Sequence, residues 1–387
     1  MIFTCPPLDE SELSVAERVR ELKEHLSYAV AETPKRWQGV LRRSTLARAV
    51  QGSNSIEGYN VTVEDAIALA EGEEPIDATA EVRAAILGYQ KAMTYVIQLA
   101  NDPHFEYSAT LIRSLHFMMI EYDLTKNPGR WRPGPIYVRD DEKQAVVYEG
   151  PNAERVPELM AELVATLTSE DPGFPPIIQA AMAHLNLAMI HPFSDGNGRM
   201  ARCLQSLILA RHGTLAPQFL SIEEFLGRNT RVYYDVLAGV GAGTWHPERD
   251  ARPWIRFCLT AHFHQATSLL RRTREIARLW DLLEQEIKVA KLPERLIFAL
   301  SEAAVGWKVR NATYKPSVEV SEQIASRDLA LAVGAGFLVP KGERRWRHYV
   351  ATPKLTEIRG RTREVRPALE DPFTPGRDRL GSGTSSN

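Results

Sequence analysis

Apolar residues recur at helical spacing along most of the 387-residue chain, and alternating strand-like runs are rare. This periodicity predicts a mainly α fold. The second predicted helix ends at Gly58, a residue type suited to a helix C-terminus. The predicted helices cover residues 9–32, 41–57, 79–100, 107–122, 153–169, 176–190, 199–213, 229–238 and 251–290.

Two regions depart from this helical pattern. Ile136–Arg139 and Ala145–Tyr148 read as one strand pair, joined by the charged segment DDEKQ. Residues 293–352 combine three short helix patterns, near 294–304, 311–318 and 321–335, with two strand-like pieces between Phe337 and Ala351. We therefore expect a hairpin within a helical core and a small α/β module behind it.

Composition narrows the class of protein. With 44% hydrophobic and 25% charged residues, the chain can bury a large core and divide into two or three domains. A formal net charge of −2 gives no global field that attracts nucleic acid or an anionic membrane. Three cysteines without C-x-x-C spacing fit neither a disulfide framework nor a zinc cage. The first residues lack a basic, apolar leader, and no apolar run reaches about 18 residues, so we expect a cytoplasmic protein without membrane contact.

The segment HPFSDGNGRMAR, residues 191–202, lies between two predicted helices and has the chemistry of an anion site. Gly196 and Gly198 lack a Cβ, so their N–H groups can approach a phosphate closely. The same amides open the next helix, where the helix dipole favours negative charge. Arg199 and Arg202 lie one turn apart and can hold phosphate oxygens on one side of that helix.

A base and a metal ligand accompany this predicted phosphate cradle. Asp195 is a hard oxygen ligand, suited to Mg²⁺ that is held jointly by one carboxylate and substrate phosphates. His191 has an ordinary pKa near 6.5, so it can accept a proton from an attacking hydroxyl at neutral pH. Phe193 is expected to anchor the loop in the core. A zinc site is disfavoured because no second His or Cys lies close in sequence.

These residues match the motif H-P-F-x-D-G-N-G-R-x-x-R at every fixed position, and the chain therefore resembles the Fic family. The resemblance implies an all-α core with a β-hairpin flap and transfer of AMP from Mg·ATP to a Ser, Thr or Tyr hydroxyl of a protein. It also implies the role of each matching residue, namely base for His191, Mg²⁺ ligand for Asp195, phosphate contacts for Gly196, Asn197, Gly198 and Arg199, and γ-phosphate contact for Arg202.

A second segment, Ser53 to Gly58, matches the family pattern [ST]-x-x-x-E-[GN] of an autoinhibitory helix, here about residues 41–58. Glu57 lies at the end of a helix, where the dipole disfavours an anion unless a cation accompanies it. The resemblance implies that Glu57 pairs with Arg202 and so holds ATP in an unproductive pose.

The flap region, residues 134–150, offers a route for substrate binding. An edge strand, either Ile136–Arg139 or Val146–Tyr148, can add a target peptide by β-augmentation. An ordinary surface hairpin is the alternative. By family analogy Tyr234 faces the adenine, although Gly239 and Gly241 stand where relatives carry an asparagine. A tyrosine packed into the core is the competing interpretation.

The resemblance orders the chain into five regions. These are an N-terminal helical region (1–105), a catalytic core (106–265), a connecting helix (266–292), a winged-helix module (293–355) and a disordered tail (356–387). The module carries many basic residues, which suit DNA binding by its third helix and wing, but Glu319, Glu322 and Asp328 interrupt the third helix, so protein docking or dimerisation is the alternative. The basic residues are Arg295, Lys308, Arg310, Lys315, Arg327, Lys341, Arg344, Arg345, Arg347 and His348.

Three functions compete at this point. The first is protein adenylylation with ATP and Mg²⁺, including self-modification, restrained by Glu57. The second is the reverse hydrolysis, in which the same site releases AMP from a modified protein. The third is a nucleotide-sensing regulator that binds DNA through the winged helix. The sequence leaves a homodimer open.

Overall fold

The computed structural model describes the whole chain except residues 32–34, 71–77, 141–144, 170–172, 214–220, 344–346, 367, 369 and 375–387. The described residues form fifteen α-helices and five short strands, which confirms the mainly α class. The helices are α1 (Glu10–Ala31), α2 (Lys35–Ile56), α3 (Val63–Ala70), α4 (Ala80–Leu99), α5 (Ala109–Ile120), α6 (Val156–Thr168), α7 (Pro176–Ile190), α8 (Asn197–His212), α9 (Glu223–Arg228), α10 (Thr230–Gly241), α11 (Arg252–Val289), α12 (Leu296–Ala304), α13 (Asn311–Ser317), α14 (Glu322–Gly334) and α15 (Pro353–Thr362). The strands are β1 (Tyr137–Asp140), β2 (Ala145–Glu149), β3 (Gly243–Thr244), β4 (Leu338–Lys341) and β5 (His348–Ala351).

Helix α7 is the centre of the fold. It is apolar on every side, and nearly all of its residues are buried, as expected for a helix with neighbours all round. Helix α8 packs along it. The few polar side chains on α7 are satisfied internally: His184 contacts Gln205 (2.5 Å) and Tyr233 (3.0 Å). The Nε1–H of Trp254 on α11 donates to the carbonyl of Ala181 (2.7 Å). A buried, hydrogen-bonded pair of helices therefore holds both ends of the candidate phosphate loop.

The hairpin predicted for the flap is present as β1 and β2, paired antiparallel. Strand β2 also pairs in parallel with β3, through Tyr148 opposite Gly243 and Glu149 opposite Thr244. The sheet order β1-β2-β3 leaves β1 with an unpaired outer edge among the described residues. Of the two edges considered from the sequence, Val146–Tyr148 is therefore not free at Tyr148, since β3 pairs with it there. The sequence pattern gave no sign of β3.

Four elements were not expected from the sequence: α3, α9, β3 and α15. Helix α15 overturns part of the disorder predicted for residues 356–387. Its Leu355 and Ile358 are buried, and Arg359 donates to Glu275 of α11 (2.6 Å). Phe373 packs against the core further along. Apolar residues this sparse form no readable periodicity, yet α15 packs against α11, and Arg256 of α11 lies over the ring of Phe373. The remainder of that predicted tail, 375–387, lies outside the described residues.

The C-terminal module has three helices, α12 to α14, followed by the β4–β5 hairpin, and Val309 bridges to Tyr349. The winged-helix assignment stays a prediction. Several of its basic residues make contacts within the protein: Arg295 pairs with the buried Asp328 (2.6 Å), Lys308 with Glu64 of α3 (3.6 Å), and Arg347 lies over the ring of Tyr349. Arg344 and Arg345 of the predicted wing lie outside the described residues.

Three further features of the fold bear on the expectations from the sequence. The 38-residue helix α11 runs without a break through residue 265, where the sequence suggested that the core ends. Cys5, Cys203 and Cys258 are free thiols. Among the helices that the structure describes, none combines the length and the apolar character needed to cross a membrane.

Close packing of α4 on α5 gives a test of the fold. An added Cβ at Gly88 would collide with the main-chain carbonyl of Met119, whose carbon lies 2.9 Å from that position. We expect Gly88→Ala to lower the free energy of unfolding by ~1–3 kcal/mol, as overpacking typically does. The matched control is Gly360→Ala in α15, where nothing lies within 4 Å of an added Cβ; it should be neutral or stabilise by up to ~1 kcal/mol. Urea denaturation measures both, and equal effects would contradict the packing of α4 on α5.

Candidate active site

The loop between α7 and α8 begins at His191, which has left-handed backbone geometry (φ 51°, ψ 57°). Its N–H donates to the carbonyl of Leu187 (3.0 Å) and caps α7. Pro192 follows, and a residue before proline is disfavoured in the right-handed helical region. A non-glycine residue in left-handed geometry is strained. The sequence thus ends α7 at His191 and turns its side chain out of the helix direction.

The imidazole of His191 is held in one tautomer. Its Nδ1 lies 3.0 Å from the carbonyl oxygen of Ala188, which can only accept a hydrogen bond. Nδ1 therefore carries the hydrogen, and Nε2 keeps its lone pair. Burial lowers the pKa of His191 below its ordinary value, against smaller opposing effects from the Ala188 carbonyl and Glu57. The ring is neutral at pH 7 and presents an acceptor nitrogen.

Asn197, Phe193 and His116 hold the loop in shape. Asn197 and Phe193 exchange two hydrogen bonds of 2.8 Å between the amide side chain and the main chain of Phe193. The ring of His116 stacks on Phe193, with centroids 3.6 Å apart and the planes parallel. The N–H of Gly129 donates to His116 Nδ1 (2.9 Å), so Nε2 carries the hydrogen and donates to the carbonyl of Asp195 (2.8 Å). Asn197 thus braces the loop through its side chain, a role that the resemblance did not indicate.

Arg132 joins the flap to the same loop. Its guanidinium is buried and donates through Nε to the carbonyl of His191 (2.9 Å), through Nη1 to Gly134 (2.5 Å) and through Nη2 to Pro151. The main-chain N–H of Arg132 donates to the carbonyl of Pro192 (2.8 Å). The base of the flap is therefore fixed relative to His191.

Two buried guanidinium groups face the phosphate side of the loop. Arg199 and Arg202 are each 1% exposed, and the Nε and Nη1 of Arg199 and the Nη1 of Arg202 have no hydrogen-bond partner within the described structure. Unpaired buried donors are costly, so such groups indicate a partner with several acceptor oxygens. Gly196 (φ 75°) turns the chain so that α8 starts beside them with free N–H groups. The set fits the phosphates of a nucleotide.

Asp195 lies at the mouth of this cradle with its carboxylate one-third exposed. Lys126 binds its Oδ2 (2.8 Å), and Arg199 lies 3.8 Å away. Burial raises the pKa of Asp195, but the Lys126 bond and the charge of Arg199 outweigh it, so the pKa lies below its ordinary value. The residues that the structure describes form no cluster of three or more metal-binding side chains. One ionised, accessible carboxylate fits Mg²⁺ only when substrate phosphates supply the remaining ligands.

Glu57, just after the end of α2, reaches into the cradle. Its Oε1 accepts a hydrogen bond from Arg202 Nη2 (2.7 Å), while Arg202 also donates to Ser53 Oγ (2.8 Å) and to the Ser53 carbonyl (3.0 Å). A Cβ added to Gly198 would collide with Glu57 Oε1. The carboxylate therefore lies directly against the loop residue that is expected to approach a phosphate. Gly58 ends the segment with a φ of 83°, which only glycine adopts easily.

The remaining predicted contact, Tyr234, is 42% exposed on α10, and its hydroxyl donates to the carbonyl of Ile56 (3.3 Å). Its neighbour Tyr233 is the one packed in the core. An adenine contact by Tyr234 stays a prediction. Sequence reasoning missed His116, Lys126 and Arg132, which lie 59 to 79 residues from their loop partners in the chain. Only the proximity of Arg132 to the predicted flap was a signal.

Residues 106–209 match the model of the Fic/DOC family. The chain is 29% identical over 207 residues to "Protein adenylyltransferase Fic" of Nematostella vectensis, covering 53% of this chain and 44% of that protein. It is 30% identical over 239 residues to the protein of that name from Aedes aegypti, covering 60% and 44%. The chain thus spans less than half the length of these curated relatives.

Solved structures agree on the fold. A Fic family protein from Desulfovibrio desulfuricans G20 aligns with a TM-score of 0.59 and 22% identity over 91% of this chain and 99% of that one. Fic-1 from C. elegans aligns with a TM-score of 0.52 and 22% identity over 67% and 72%. The fold is that of these Fic structures, and the sequence match to the Fic/DOC family model is confined to residues 106–209.

The buried His116 makes stability depend on pH. Burial lowers its pKa to about 4, below the ordinary value of about 6.5 in an unfolded chain. Between these two pKa values the unfolded state binds a proton that the folded state does not. The contribution of His116 to the free energy of unfolding is therefore fully present above pH 6.5 and is lost as pH falls towards 4. His116→Gln should reduce the slope of unfolding free energy in this window by ~1 kcal/mol per pH unit. The exposed control His104→Gln should leave the slope unchanged; identical slopes for both variants would contradict a buried neutral His116.

Proposed function

We propose that this protein is an adenylyltransferase that moves AMP from Mg·ATP to a Ser, Thr or Tyr hydroxyl of a protein. The observation that carries the proposal is one bend between α7 and α8. It combines the free Nε2 lone pair of His191 with the unpaired buried guanidinium donors of Arg199 and Arg202. The names of the curated relatives, protein adenylyltransferases, support the same reaction and imply ATP as co-substrate.

In the proposed reaction the hydroxyl oxygen of the target attacks the α-phosphorus of ATP. Nε2 of His191 takes the hydroxyl proton as the oxygen–phosphorus bond forms. The bond between the α-phosphorus and its bridging oxygen breaks, and pyrophosphate leaves with the electron pair. The neutral tautomer of His191 suits this role, because the hydrogen on Nδ1 is engaged by the Ala188 carbonyl and Nε2 keeps its lone pair.

The leaving pyrophosphate is assigned to the other half of the loop. Arg199 and Arg202 supply unpaired donors, and the N–H groups of Asn197 and Gly198 lie at the N-terminus of α8, where a negative charge is stabilised. The N–H of Gly196 donates to Asp195 Oδ1 (2.6 Å) and would exchange that bond for one to a phosphate. Asp195 would hold Mg²⁺, which neutralises phosphate charge when it is bound. Lys126, now paired with Asp195, contributes a further positive charge at the same point.

The target segment is proposed to bind along β1. This strand has an unpaired outer edge, and main-chain hydrogen bonds to that edge would bind a peptide with little dependence on its sequence. Arg132 fixes the base of the flap to the carbonyl of His191, so a peptide on β1 is carried at a defined position relative to the base. Self-modification is part of this proposal, since a segment of the chain itself can serve as target.

Glu57 is proposed to restrain the reaction. A phosphate and the Glu57 carboxylate are both anions that require Arg202 and the surface of Gly198, so both cannot occupy this place together. Ser53 supports the restraint by orienting the guanidinium of Arg202 from the same helix.

The reverse hydrolysis is kept as a second function because of one observation. Oε1 of Glu57 is bonded to Arg202, while Oε2 has no hydrogen-bond partner among the described residues, and the side chain is 24% exposed. A fixed carboxylate with a free oxygen can accept a proton from water. Incubating the unaltered protein with AMP-modified target and measuring free AMP tests this direction.

Removing the carboxylate of Glu57 should release the activity. We expect Glu57→Gly to raise self-incorporation of AMP from labelled ATP by tenfold or more, because Arg202 and Gly198 become accessible to phosphate. Glu57→Gln, which keeps the shape but not the charge, should give an intermediate rise. Adding His191→Ala to Glu57→Gly should abolish incorporation. Intact mass spectrometry, with UTP and CTP alongside ATP, identifies the group transferred.

Two results would count against these assignments. Equal incorporation by the unaltered protein and Glu57→Gly removes the restraint but leaves the transferase. Undiminished incorporation when His191→Ala is added removes the catalytic role of His191.

The pH dependence of kcat/KM for ATP tests the neutral imidazole. Burial lowers the pKa of His191, and the charge of Glu57 partly opposes this, so the Glu57→Gly variant should have a still lower pKa. The base form then persists to lower pH, and the acid limb of the profile should lie below the ordinary imidazole value of about 6.5. An acid limb above pH 6.5 would contradict the buried, neutral base.

A further inference from the structure

A cavity of about 550 Å³ lies apart from the candidate active site, among α2, α9, α11, the end of α12 and the segment that begins at α15. Its volume falls within the range of small-molecule sites. Helix α2, which ends beside Glu57, contributes Ser44 and Arg48 to the wall. The cavity and the candidate active site therefore share one helix.

Seven arginines of the described structure line this cavity. Three of them depend on one carboxylate: Glu224 accepts two hydrogen bonds from Arg272 (2.6 Å each), an ion pair from Arg228 (2.7 Å) and a longer contact from Arg48 (3.7 Å). Burial lowers the pKa of Arg48, and repulsion by Arg272 and Arg228 adds to this. On this side of the cavity the three arginines therefore carry more positive charge than the single carboxylate neutralises.

The opposite wall repeats the imbalance. Arg271 and Arg359 share the buried Glu275, at 2.5 and 2.6 Å. Glu364 also lines the cavity, but its carboxylate is engaged by Arg274 and Arg278, which are not part of the lining.

Two further arginines of this wall are unpaired. Arg363 and Arg366 follow α15 and are exposed to solvent where they line the cavity, and their side chains form no hydrogen bond or ion pair with any residue that the structure describes. Repulsion from Arg366 is one of the effects that lower the pKa of Arg48 across the cavity. Guanidinium groups brought together without enough carboxylates are stabilised by an anion with many acceptor oxygens.

We propose that this cavity binds a small polyphosphorylated anion, with Arg48, Arg363 and Arg366 as phosphate contacts. Guanidinium pairs bind phosphate in a bidentate manner, which favours phosphate over a simple halide. An apolar patch formed by Leu41, Ile276 and Trp307 gives a second, non-phosphate part of the ligand a surface to contact. The anion is either a nucleoside polyphosphate, which uses that patch, or an inorganic polyphosphate, which does not.

The test compares two double variants of the full chain. Arg363→Gln with Arg366→Gln removes both unpaired cavity charges. Arg249→Gln with Arg361→Gln removes the same charge from exposed positions that do not line the cavity. Isothermal titration with inorganic tripolyphosphate, and separately with ATP, measures binding to each variant and to the unaltered protein. The candidate active site is intact in all three, so its own binding is common to them.

We expect the cavity variant to bind tripolyphosphate at least tenfold more weakly than the unaltered protein does. If the unaltered protein shows two separate binding events, the cavity variant should lack one of them. The control variant should match the unaltered protein. ATP that binds this site more tightly than tripolyphosphate identifies the nucleotide, and the reverse order identifies inorganic polyphosphate. Identical isotherms for the two double variants overturn the proposal, as does binding of a single-stranded oligonucleotide without any binding of tripolyphosphate. Thermal unfolding of both variants checks that the fold is kept.

Discussion

The buried guanidinium of Arg202 is the constraint on which the rest of the site depends. At 1% exposure it cannot be satisfied by bulk water, and a buried charge without a partner is strongly destabilising. Ser53 and Glu57 provide the partners in this structure, and phosphate oxygens are the chemically equivalent replacement. One side chain on α8 therefore connects the end of α2 to the loop, so that in the proposed function the restraint by Glu57 and the binding of phosphate compete for the same donors.

The second layer of the site is positional. The proposed role of His191 as a base requires that α7 end at its strained left-handed residue, and the loop that follows is held by Asn197, His116 and Arg132. All three make these bonds to main-chain groups of the loop. A loop between two buried helices, with the Glu57 carboxylate lying against Gly198, is the arrangement that the proposed restraint requires.

Much of this was readable from the sequence, and the reasons for the misses are physical. The motif from His191 to Arg202 is contiguous, so its chemistry can be recognised from one segment of the sequence. The long helices can be predicted from the periodicity of their apolar residues. Lys126 and His116 act through contacts that only the tertiary fold creates, so no local spacing marks them. Helix α15 has few apolar residues, and besides the buried Leu355 and Ile358 it is held to α11 by the ion pair of Arg359 with Glu275, which a hydrophobic pattern does not register. Strand β3 is two residues long, too short for any alternation to appear.

The most direct test of the central claim is a crystal structure of the Glu57→Gly variant with Mg²⁺ and a non-hydrolysable ATP analogue, beside the same complex of the unaltered protein. The account predicts that in the variant the terminal phosphate contacts Arg202 where the Glu57 carboxylate had been, with Nε2 of His191 facing the α-phosphate. In the unaltered protein the Glu57 to Arg202 pair should persist and that phosphate should lie elsewhere. A nucleotide that leaves Arg202 uncontacted in the variant would contradict it.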